Sequence, residues 1–148
     1  MRRAAISLLT VLLAVTACTG GRTSSTSASK LKQPPVASFA AGPCRAMAPD
    51  LLAIQRDGQQ LGGAATAPRP VLNRLKDEQG RVRALQPALV ADKLVGPAVE
   101  DLVIAVGVVR LNSDTNVYLP SYAADLRRTA AAAIASCTGA APAPSPSS

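Results

Sequence analysis

The chain has 148 residues, sixteen Lys and Arg against nine Asp and Glu, three cysteines and no histidine. The net charge of +7 is unevenly placed: Pro43 to Gly139 carries eleven basic and nine acidic side chains, a net of +2, too mild and too mixed for a nucleic-acid surface. Without histidine the commonest general base, the commonest zinc ligand and the usual partner of a Ser or Cys nucleophile are missing, so neither a metal nor a cofactor is expected.

The chain opens MRRAAISLLTVLLAVTAC, two arginines followed by an apolar run from Ala4 to Val15 and then small residues. This is the layout of a secretory signal, with an apolar stretch too short for a permanent membrane span. Arg2-Arg3 is followed by Ala4-Ala5-Ile6, which does not fit the longer twin-arginine pattern, so general secretion is expected. The residues Val15-Thr16-Ala17-Cys18 resemble a lipobox, the motif of bacterial lipoproteins. That resemblance implies a signal peptide over 1–17, cleavage by signal peptidase II between Ala17 and Cys18, and a diacylglyceryl group on Cys18. Two acyl chains give stable anchoring where one gives only reversible binding.

Residues 18–42 are rich in Ser, Thr and Gly with a Pro34-Pro35 step and no apolar periodicity, and read as a flexible tether. Such a chain reaches roughly 25–30 Å. Its basic residues Arg22, Lys30 and Lys32 are equally compatible with attraction to anionic head groups and with scattered linker charge. At the other end, the Pro/Ala/Ser residues of 140–148 have nothing to bury and are expected to be disordered.

Residues 43–139 have helical spacing. Met47, Leu51, Ile54, Gly58 and Leu61 share one face, Pro49 suggests the first turn with residues 43–48 as a separate turn or a kinked extension, and Gly62-Gly63 ends the segment. A second amphipathic segment starts at Pro68 and Pro70 and carries Val71, Leu75, Val82 and Leu85. Pro87 closes it, and PALVADKLV follows as a short helical piece. A third runs from near Pro97 through Leu111, apolar on every side from Leu102 to Val109, which predicts a place at the centre of a bundle. By composition LVIAVGVV also suits a buried strand, but its helical neighbours leave a strand without a partner. Asn112-Ser113-Asp114 reads as a turn. Pro120 opens a fourth helix with Tyr122, Leu126, Ala130, Ile134 and Cys137 on one face, closed by Thr138-Gly139.

Four amphipathic segments with short connections predict an all-α, up-down-up-down four-helix bundle. Small, uncharacterised actinobacterial lipoproteins are similar in layout, with a lipobox, a Ser/Thr tether and an Ala-rich helical domain bounded by two cysteines; the resemblance implies no activity. Export places Cys44 and Cys137 in an oxidising compartment, and an up-down-up-down bundle brings the start of its first helix beside the end of its fourth. A disulfide between them is therefore expected.

The acidic pairs Asp77-Glu78 and Glu100-Asp101 diverge by about 100° on a helix and read as solvated charge. Arg110 ends the most apolar run; it either anchors an anionic ligand, or snorkels out of the core or pairs with Asp114 or an acid of a neighbouring helix. Tyr118 and Tyr122 flank the last turn, as a partner-binding patch or as a cap on the core. The expected function is a non-enzymatic, membrane-anchored, extracytoplasmic binding module for another envelope protein or a lipid. The alternatives are an enzyme or enzyme accessory using carboxylates such as Asp57, Glu100 or Asp114, and a small-molecule or lipid carrier with a cavity beside Gly107.

Overall fold

The structure, a computed structural model, describes residues 32–140. The expected signal peptide, Ala17-Cys18 processing site, tether through residue 31 and tail from residue 141 lie outside the described residues. Four α-helices make up the domain: α1 Pro43–Leu61, α2 Arg69–Leu85, α3 Val95–Asp114 and α4 Pro120–Thr138. Short 3-10 turns at Val36–Ser38 and Gln86–Leu89 precede α1 and follow α2. No strand occurs among the described residues, so LVIAVGVV is helical.

Proline punctuates three of the four helix starts, because a residue in the first turn has no intrahelical use for its N–H. Pro43, Pro70 and Pro120 all stand at N1 or N2. Pro49 is instead inside α1, which begins a turn and a half earlier than expected. The start of α3 is held by Asp92, whose Oδ1 accepts the backbone N–H groups of Leu94 and Val95 at 2.9 Å each. Those two bonds lower the pKa of the exposed Asp92, with slight desolvation opposing them.

The expected turn at Asn112-Ser113-Asp114 belongs to α3. Asn112 and Ser113 donate to the carbonyls of Val108 and Val109, four residues back, satisfying their polar groups within the helix. The chain reverses at Thr115-Asn116, where Asn116 takes φ 58°, a left-handed conformation that asparagine tolerates. Gly139, at φ 67°, ends α4 in the same region.

Each helix packs against its neighbours in sequence, and α4 returns to α1, closing an antiparallel up-down-up-down bundle. The core is a continuous cluster that includes Met47, Leu51, Ile54, Leu75, Val82, Val99, Leu102, Val106 and Leu126. Gly58, on the core face of α1, lets α4 come close: a Cβ there would lie 3.3 Å from Arg127 Cγ. At one end Cys44 and Cys137 are joined in a disulfide, with Cα atoms 5.3 Å apart, as the antiparallel order requires.

Two further expectations need correction. The folded domain starts before Pro43, because Phe39 is 1% exposed within the core, the Ala40 N–H donates to the Cys137 carbonyl at 2.8 Å, and the Gln33 amide donates to the Leu52 carbonyl at 2.7 Å. Residues 33–42 are therefore part of the domain rather than free tether. Nor is α3 enclosed: Ile104 is 56%, Val108 37% and Leu111 66% exposed. A ring of four helices has no central member, so α3 meets α2 and α4 and turns a third face to solvent.

Candidate functional site

The outward face of α3 is a row formed by Ile104, Val108 and Leu111, spaced four and three residues apart, one above another on the helix. Between this row and α4 lies a groove of about 280 Å³, with Ala105, Val108 and Tyr122 as its apolar walls. Its rim carries Asp101, Asp125 and Arg128. The last two form an exposed i,i+3 ion pair at 2.9 Å, a pairing of small energetic consequence. Tyr122 thus stands in the groove, whereas Tyr118 does not. The Tyr118 hydroxyl donates to the Leu61 carbonyl at 2.9 Å and ties the α3–α4 connection to the end of α1, and burial raises its pKa.

Arg110 lies on another face of α3, towards α2. Its guanidinium Nη1 donates at 2.6 Å to Oε1 of the buried Gln79, whose Nε2 donates at 2.7 Å to the Val103 carbonyl. The expected acid partner is absent among the described residues, and Asp114 pairs with Arg69 at 3.1 Å instead. The space beside Gly107 is used by the same glutamine: a Cβ at Gly107 would stand 3.5 Å from Gln79 Nε2. The three candidates Arg110, Tyr118 and Tyr122 therefore occupy three separate surroundings.

The α1–α2 interface holds what the sequence reading missed. Asp57, buried, receives two hydrogen bonds from Arg74 at 2.8 and 3.0 Å, and Asp50 receives one from Arg81 at 2.8 Å. Between these pairs sits Glu78, 5% exposed, with Oε2 buried and unbonded. Burial, then the Asp57 charge, push its pKa to about 7; Asp50 adds to the rise, and Arg81 and Arg74 oppose it. Glu78 is thus not solvated, unlike its neighbour Asp77. The signal was present, since Val71, Leu75, Glu78 and Val82 follow steps of four, three and four, the register of a core face.

The other carboxylates do not converge. Glu100 and Asp114 are fourteen residues apart on α3, about 21 Å along its axis, and Asp57 is committed to Arg74. A hollow of about 700 Å³ at the disulfide end is walled by small residues such as Ala40, Ala88 and Ser136; its one charged side chain, Asp92, is engaged in capping α3. Among the described residues no group of three or more His, Cys, Asp or Glu is placed to hold a metal ion, and no helix is long and apolar enough to cross a membrane. Comparison with protein-family models, with curated proteins and with solved structures returns no match.

Proposed function

We propose that the protein is a lipid-anchored module on the outer face of the cell membrane that binds another envelope protein and performs no chemistry of its own. The lipobox-like Val15-Thr16-Ala17-Cys18, the signal-like run before it and the Ser/Thr-rich stretch after it support the anchor. The binding role rests on one observation: the solvent-facing apolar row Ile104, Val108 and Leu111 beside a groove. Apolar side chains grouped in this way favour a contact surface over plain solvent exposure. The rim favours protein over lipid, because Asp101 and Asp125 outweigh Arg128 and would repel anionic head groups. A protein segment with an apolar stripe flanked by basic side chains complements it.

The test is a photo-cross-linking amino acid placed at Val108 in intact cells. The expected result is a discrete protein adduct that disappears with Ile104→Asp. Adducts to lipid alone, or a protein adduct indifferent to Ile104→Asp, would overturn the reading.

A further inference from the structure

The face of α3 that meets α2 has a different chemistry from the apolar row. Arg69, Asn73, Lys76, Arg110 and Asp114 enclose, with Leu72, a cavity of about 210 Å³, the liquid volume of about seven waters. Three cations face one carboxylate across this small concave wall. The carboxylate, on Asp114, is engaged by Arg69 in a pair exposed on both sides, which is weak enough to rearrange around an incoming ligand.

Arg110 gives the cavity its specificity. A neutral amide holds it, not a carboxylate, so its charge is fixed in place without being neutralised. The holding amide is itself oriented: Gln79 is buried, and its Nε2 bond to the Val103 carbonyl leaves Oε1 as the atom that meets Arg110 Nη1. Among the described residues, Nε and Nη2 of Arg110 make no hydrogen bond, and no carboxylate lies within ion-pairing distance. A pre-oriented guanidinium with free donors is suited to two oxygens of one oxyanion. With Lys76 and Arg69 beside it, the local charge matches a dianion better than a single carboxylate.

We propose that this cavity binds a phosphate group, inorganic phosphate or a phosphate monoester, with Arg110 as the positioned anchor and Lys76 and Arg69 as flanking cations. The site is separate from the α3–α4 groove and stands whether or not that groove binds a protein. Free phosphate and the exposed phosphate of a phosphatidic acid head group offer the same chemistry, and the experiment distinguishes them.

The intact purified protein is titrated with inorganic phosphate at ionic strength held constant with chloride, and binding is followed by calorimetry and ³¹P line broadening. Saturable binding is expected. Arg110→Gln weakens it by about tenfold or more, the loss of a charge-assisted contact. Lys76→Gln, at an exposed position, weakens it by a smaller factor with the melting temperature unchanged, and Arg56→Gln, at an exposed position on α1 outside the cavity, leaves it as in the wild type. Vesicles of phosphatidic acid in phosphatidylcholine are then added: competition with phosphate assigns the site to a lipid head group, and its absence assigns it to the free anion, both in support of the site. A response to phosphate no larger than to chloride, or wild-type affinity in both Arg110→Gln and Lys76→Gln, would overturn it.

Discussion

Replacing Glu78 by glutamine should stabilise the domain above neutral pH and change little in acid. The folded-state pKa of about 7, against an ordinary 4.5, means that between those values the folded chain holds a proton the unfolded chain has released. Stability of the wild type therefore falls as pH rises through this window and levels off above it, with a total loss of about 3 kcal/mol from the width of the shift. Glutamine keeps the shape, carries no charge to desolvate, and brings an N–H₂ that can donate towards Asp57 or Asp50. The assay is urea unfolding at pH 5, 6, 7 and 8. Because the chain has no histidine, no other side chain ordinarily titrates between pH 5 and 8, so the slope belongs to Glu78. The gap between Glu78→Gln and wild type should be small at pH 5 and widen by about 2–3 kcal/mol by pH 8, on the order of 10 °C in melting temperature. Asp57→Asn should shift the wild-type transition to lower pH, since the Asp57 charge is the second cause of the rise. A flat wild-type profile over this range, or a Glu78→Gln variant less stable than wild type at pH 8, would refute the reasoning.

Opening the Cys44–Cys137 bridge, which spans 93 residues of sequence, should cost about 4–5 kcal/mol in the chain-entropy view, seen as a lower melting temperature under reductant. Phe39→Ala should destabilise by about 3–5 kcal/mol in chemical denaturation, an effect that a free tether would not show. Tyr118→Phe removes the bond to the Leu61 carbonyl and should cost about 1 kcal/mol, measured the same way. Cys18→Ala should leave the protein at its unprocessed size or release it from the membrane fraction. A variant of mature size that still sediments with membranes would refute the anchor.

Helix number, approximate limits and the bridge were all legible in the chain, because each rests on local chemistry or on chain order. Pro70 and Pro120 mark helix starts, although Pro49, read as one, lies inside α1, and steps of three and four apolar residues select one face without reference to any partner. The disulfide follows once four helices alternate in direction, since Cys44 and Cys137 are then brought to one end. What stayed hidden depends on neighbours far away in sequence. Phe39 is a single aromatic in a run without periodicity, and only the end of the bundle gives it a place to be buried. The all-round apolar surface of α3 cannot say which side lacks a partner; the ring arrangement leaves Ile104, Val108 and Leu111 outside. Glu78 lay in the core register of α2, yet its charge argued for the surface, and burial against α1 beside the Asp57 carboxylate reset its pKa. Arg110 is four residues from Asp114 along α3, but tertiary packing gave each a different partner, Gln79 and Arg69. Short-range geometry is written along the chain, whereas the choice among competing partners is made by which side chains the folded bundle brings within hydrogen-bonding reach.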